Sequence, residues 1–112
     1  MVALRKPKSP RPVRGRVDNV AGSESGFLVS GIQGFYADVM VIAQTQLGAT
    51  VTATNPKTNE VYDTATGDVQ IILRYFVENL SDNLYNVISS TIAPWSFQYF
   101  ITYHRITGVQ GA

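Results

Sequence analysis

Cysteine is absent from this 112-residue chain, which removes disulfide scaffolds, thiolate metal sites, thiol nucleophiles and redox motifs together. Histidine occurs once, at His104, so imidazole chemistry has a single place to reside. No apolar run is long enough for a spanning helix. The basic start is not followed by the seven or more apolar residues that a secretory signal needs, because Val13 gives way to Arg14, Gly15 and Arg16. Charged residues are only 15% of the chain and apolar ones 45%, a balance that excludes a typical disordered polymer. What remains is a folded domain of common size, large enough for a core without metal or disulfide support.

The net charge of +1 conceals an asymmetry. Residues 1–16 carry Arg5, Lys6, Lys8, Arg11, Arg14 and Arg16 with no acid. Residues 17–112 carry Lys57, Arg74 and Arg105 against eight acids, leaving that part at −5. A basic tail on a mildly acidic body suits an arm that binds a polyanion or an acidic protein surface. Pro7, Pro10 and Pro12 forbid a helix and bias their neighbours toward extended backbone. At about 3.1 Å per residue the segment reaches on the order of 50 Å, beyond the roughly 30 Å width of a domain this size. The predicted organisation is therefore an extended arm over 1–16 and a single body over 17–112.

The body reads as short strands. A Gly- and Ser-rich stretch from Gly22 to Gly34 surrounds one short strand at Phe27-Leu28-Val29. Tyr36 to Leu47 alternates as a strand, although its Ala, Met, Gln and Leu content would also tolerate a helix. Ala49–Thr54 and Glu60–Thr64 flank the turn chemistry of Asn55-Pro56-Lys57-Thr58-Asn59 and predict a hairpin. Val69, Ile71, Leu73, Tyr75 and Val77 alternate with Gln70, Ile72, Arg74, Phe76 and Glu78; apolar residues on both faces predict a central strand. Tyr85 to Ala93 is β-branched, and Pro94 marks a corner. Beyond it Trp95, Phe97, Tyr99, Ile101 and Tyr103 face one way and Ser96, Gln98, Phe100, Thr102 and His104 the other. Six to eight strands at this spacing predict an all-β fold, a small antiparallel sandwich or a jelly-roll-like barrel.

Candidate chemistry is thin. His104 has no carboxylate at metal-ligand spacing and reads as a surface or structural histidine. Glu60, Asp63 and Asp68 flank turns, where solubilising roles outweigh acid–base or cation-binding ones. The GxxG spacing of Gly31 and Gly34 lacks the basic residues of a phosphate clamp, and no dinucleotide or P-loop fingerprint occurs. The sequon Asn79-Leu80-Ser81 reads as accidental without a secretion signal. No catalytic residue, metal or cofactor is assigned, and the chain is not expected to be an enzyme. Half of the aromatics, Tyr85, Trp95, Phe97, Tyr99, Phe100 and Tyr103, fall within 85–103. Aromatics along a strand stack bases only where cations line the same groove, and here only Arg74 and Arg105 are near in sequence, so core and subunit contacts are the expected use. Phe100, on the otherwise polar face, is the best candidate for touching a partner chain.

A short cysteine-free chain with a Pro- and Arg-bearing arm (Arg5 to Arg16), a Thr-rich hairpin (Ala49 to Thr64) and long core strands (Val69 to Thr107) resembles the capsid decoration, or cement, proteins of tailed bacteriophages. The resemblance covers the whole chain as an arrangement, without a residue motif specific to the family. It implies a non-catalytic protein on a capsid surface that lays its arm over coat subunits and stabilises the shell through many weak, repeated contacts. Arg5, Lys6, Lys8, Arg11, Arg14, Arg16 and Phe100 are then the partner-binding residues, with major capsid subunits as partner, homo-oligomerisation compatible, and no membrane. Two alternatives stay open: a nucleic-acid-binding module or internal coat subunit whose arm neutralises phosphates, and a small enzyme or ligand binder with a pocket among Tyr62, Tyr75 and Trp95.

Overall fold

The computed structural model describes residues 10–78 and 83–106. Among them, alternating apolar and polar side chains build β1 (Val13–Val20), β2 (Glu24–Val29), β3 (Phe35–Gln44), β4 (Ala49–Asn55), β5 (Glu60–Gly67), β6 (Gln70–Val77), β7 (Leu84–Ser90) and β8 (Trp95–Arg105), with no helix. Two four-stranded sheets result, ordered β1-β8-β3-β6 and β2-β7-β4-β5, and every pairing is antiparallel. This strand order is that of the jelly roll. The all-β sandwich expected from the strand pattern is therefore what forms.

The core lies between the sheets. Val39, Val41 and Ala43 of β3, Leu73 of β6 and Phe97 and Ile101 of β8 face Val29, Val51, Ala53 and Ile88 of the second sheet, all of them almost fully buried. Burying each of the larger side chains contributes about 1.5–3 kcal/mol. Phe27 from the second sheet stacks on Tyr99 from the first, with ring centroids 4.1 Å apart, tying the layers together near β1. The β4–β5 hairpin turns where expected: the Asn55 side chain accepts the Lys57 N–H at 3.0 Å, and Asn59 takes a positive φ of 62° that asparagine tolerates.

Two readings of the chain are corrected by the sheet order. β6 is an edge strand, not a central one. Its inward residues Ile71, Leu73, Tyr75 and Val77 are buried as expected, but Ile72 and Phe76 on the other face are 54% and 57% exposed. The apolar outer face therefore borders solvent rather than a further layer. On the free side of β6 the Asp63 carboxylate accepts the Arg74 N–H at 2.9 Å, satisfying a donor that a neighbouring strand would otherwise take. The second correction concerns β1. Val13 to Arg16 are paired with β8, so the basic segment does not stay an arm up to residue 16 but enters the sheet at Val13. Arg5, Lys6 and Lys8, together with the sequon at Asn79, lie outside the described residues.

Close backbone approach explains two glycines. The Tyr99 ring occupies the space where a Gly15 side chain would stand, so β1 seats directly against β8. At Gly26 an added methyl would run into the Asn86 backbone carbonyl and the Tyr85 ring. Gly26→Ala is expected to destabilise the domain by about 1–3 kcal/mol, because a carbonyl held in the β2–β7 ladder cannot step aside. Gly22, which has open space around it, serves as the control, and urea unfolding of Gly22→Ala should show a far smaller change.

Candidate functional site

Register dictates which side chains meet on the outer face of the β1-β8-β3-β6 sheet. Residues directly opposite in an antiparallel pair share a face, and the row across the four strands reads Arg14, Phe100, Met40, Arg74. The next row reads Arg16, Gln98, Ile42, Ile72. On the other side of the first row lie Thr102, Asp38 and Phe76, then His104 and Tyr36. An exposed sheet face thus carries aromatic and aliphatic groups with guanidinium groups at both ends of one row.

Arg14 and Phe100, far apart in sequence, become cross-strand neighbours. They line a groove of about 390 Å³ with Pro12, Val13 and Thr102. A second groove of about 270 Å³ continues past Gly15 to Arg16 and Gln98. Beyond it Arg16, Gln98, Gln44 and Gln70 border a smaller space of about 120 Å³. The first two run along β1 and β8, and the third crosses from Arg16 over β8 and β3 to Gln70 of β6.

Charge on this face is unevenly compensated. Arg16 Nε is 2.7 Å from an Asp18 carboxylate oxygen. Both groups are largely exposed, and such a pair contributes at most about 1 kcal/mol. Arg74 holds Asp38 through two hydrogen bonds, at 3.3 and 2.9 Å, and this contact raises the guanidinium pKa further above its ordinary value. Among the described residues no acid stands within salt-bridge distance of Arg11 or Arg14. Glu24, Glu60, Asp63 and Asp68 belong to β2, β5 and the β5–β6 turn, and Glu78 follows β6 at the edge away from β1.

Among the described residues His104 has no partners arranged as a catalytic relay. Its Nε2 lies 3.3 Å from Thr102 Oγ1 and 3.6 Å from Asp38 Oδ2, so one nitrogen faces both groups. A nucleophile–base–acid relay uses the two ring nitrogens in opposite directions. Tyr36 stacks on the imidazole at 5.3 Å and Phe76 meets Tyr36 edge-on at 5.5 Å, forming an aromatic corner. Among the described residues no three or more His, Asp or Glu side chains converge to hold a metal ion. No helix there is long and apolar enough to cross a membrane.

The other sequence-derived candidates scatter. Tyr62 and Tyr75 stack at 4.9 Å, and burial pushes both phenol pKa values up. Trp95 instead packs on Phe97 and donates its indole N–H to the Gly22 carbonyl at 2.9 Å, so these three rings do not line one pocket. Asp63 is engaged with the backbone N–H groups of Thr64 and Arg74. Reading the chain residue by residue missed the partnership of Arg14 and Arg16 with Phe100. Its trace was the alternation Val13-Arg14-Gly15-Arg16-Val17-Asp18, a strand pattern hidden within a run of cations. No family model matches the chain, and no curated protein matches it either.

Proposed function

We propose that the protein is a structural component of a virion whose work is contact rather than catalysis. The observation that carries this reading is a jelly roll whose outer sheet face is continuous, through β1, with a basic proline-bearing segment. Viral capsid domains share the jelly roll with lectins and cupins, so the architecture supports the reading but assigns no function alone. In the decoration reading, the segment up to Pro12 lies along acidic coat protein while Phe100 and its neighbours rest on the same partner. Proline restricts the free segment, so less entropy is lost when it is ordered along a surface. In a second reading the chain is an internal coat subunit whose basic segment lies on packaged nucleic acid. The placement of Arg14 and Arg16 beside Phe100 favours that second reading, because it adds an aromatic to the cations that phosphates require.

Deleting residues 1–12 tests the shared claim. Removing 1–16 would strip half of β1 and uncover β8, whereas a cut before Val13 leaves every described strand whole. The shortened chain should keep its circular dichroism and lose co-sedimentation with the particle; undiminished attachment would refute the proposal. Attached protein that proteases digest on the intact particle indicates decoration, and protection indicates an internal position. Within the segment and β1, Arg11, Arg14 and Arg16 changed together to Ala should weaken attachment more than Lys57→Ala. Equal effects would reduce the contact to bulk charge.

A further inference from the structure

We propose that the β1–β8 half of the outer sheet face binds single-stranded nucleic acid, with Arg14 and Arg16 on phosphates and Phe100 under a base. This extends the internal-subunit reading above to a defined site on the folded domain. Single strands are held where cations follow the backbone and an aromatic offers its face to a base. By sequence the cations near Phe100 were too few. Pairing of β1 with β8 supplies them: Arg14 is opposite Phe100, and Arg16, held only weakly by its exposed contact with Asp18, is opposite Gln98 one step along the same face.

The spacing is suitable. Alternate residues on a strand are about 6.8 Å apart, close to the separation of successive phosphates in an extended single strand. Two open grooves follow β1 and β8 and a third leads on across β3 to β6, an extended path rather than one closed pocket, as a chain-like ligand requires. Gln98, Gln44 and Gln70 border the far end, and each amide both donates and accepts hydrogen bonds, the chemistry of base edges. Guanidinium groups alone would also take an acidic peptide. The half-buried ring of Phe100 beside Arg14 favours bases, because a carboxylate gains nothing from an aromatic face.

The test is fluorescence anisotropy of the full chain with labelled oligo-dT and oligo-U of about twelve nucleotides, at about 50 and 200 mM salt. Binding should weaken as salt rises. The charge-neutral change Phe100→Ala should weaken it about tenfold, the loss expected for one stacked base. Arg14→Gln with Arg16→Gln should lower the slope of log affinity against log salt by about 1.4, since each phosphate contact to a single strand contributes about 0.7. Lys57→Gln, in the β4–β5 turn away from this face, should change little. Thermal melts check that each variant is folded, and the exposed arginine pair carries the test if Phe100→Ala is not. Absence of binding at about 50 mM salt would overturn the proposal. So would binding that both variants leave within twofold, which would place the contact on residues 1–12 alone, or displacement by polyglutamate as effective as by unlabelled oligonucleotide. Any of these failures would leave attachment to the particle, and its loss on deleting residues 1–12, standing as a separate result.

Discussion

Phe97→Ala is expected to lower the stability of the domain by about 3–5 kcal/mol, a large part of the roughly 5–15 kcal/mol that holds a domain of this kind folded. Phe97 is 1% exposed and sits near the start of β8, with the rings of Trp95 at 5.4 Å, Phe27 at 6.1 Å and Tyr99 at 6.3 Å. Truncation removes the ring and leaves a space that neighbours on two different sheets cannot close together, so the cavity cost adds to the lost burial. Because β8 also pairs with β1, loosening it disturbs the row that holds Arg14 and Phe100. Urea unfolding measures the effect. Phe97→Leu, which keeps most of the volume, should cost clearly less, and a loss under about 1 kcal/mol for the alanine would contradict the packing described.

The second large effect concerns the polar pair inside the core. Asn86 is fully buried; its side-chain oxygen accepts the Tyr75 hydroxyl at 2.7 Å, and its amide donates to the Leu84 carbonyl at 3.2 Å. Asn86→Leu strands the tyrosine hydroxyl in an apolar setting, and Tyr75→Phe strands the asparagine oxygen. Each is expected to cost about 1–3 kcal/mol. The double variant should cost less than the sum by about 1 kcal/mol or more, because the second change removes the group that the first left unpaired. Strict additivity would show that the hydrogen bond contributes no coupling.

The same pair gives a pH dependence. Burial above all, with Tyr62 and Asp63 nearby, holds the Tyr75 phenol above its ordinary pKa of 10.0. In the unfolded chain that phenol loses its proton near pH 10, while in the folded protein it keeps it. The stability linked to this group is therefore complete below about pH 10 and falls as pH rises beyond it. Tyr75→Phe should flatten, though not abolish, the alkaline loss of stability, since burial also raises the phenols of Tyr62 and Tyr103. An unchanged alkaline profile in Tyr75→Phe would contradict the assignment.

Much of the fold was legible because strand periodicity is local. The inward set Ile71, Leu73, Tyr75 and Val77 and the inward set Trp95, Phe97, Ile101 and Tyr103 follow from alternation alone, and the Asn55–Asn59 turn follows from residues that tolerate its backbone. What escaped were features that depend on neighbours distant in the chain. An apolar outer face on β6 resembles the second face of a central strand, and only the order β1-β8-β3-β6 shows it at the edge. β1 was obscured because proline and arginine upstream made the whole basic segment look alike, although Val13 and Val17 already alternate with its charges.

The amino-acid sequence by itself determined the all-β class, the positions of most strands, the inward half of the core and the separation of a basic beginning from an acidic remainder. Each of these depends on composition or on a period of two, which a chain carries without reference to its partners. Tertiary structure alone decided that β1 lies against β8 and that Arg14 stands beside Phe100. Pairing register joins residues more than eighty positions apart, and it is set by the packing of Tyr99 across Gly15 and onto Phe27. No local pattern encodes such a neighbour, because the free energy that selects it comes from burying both sheets at once.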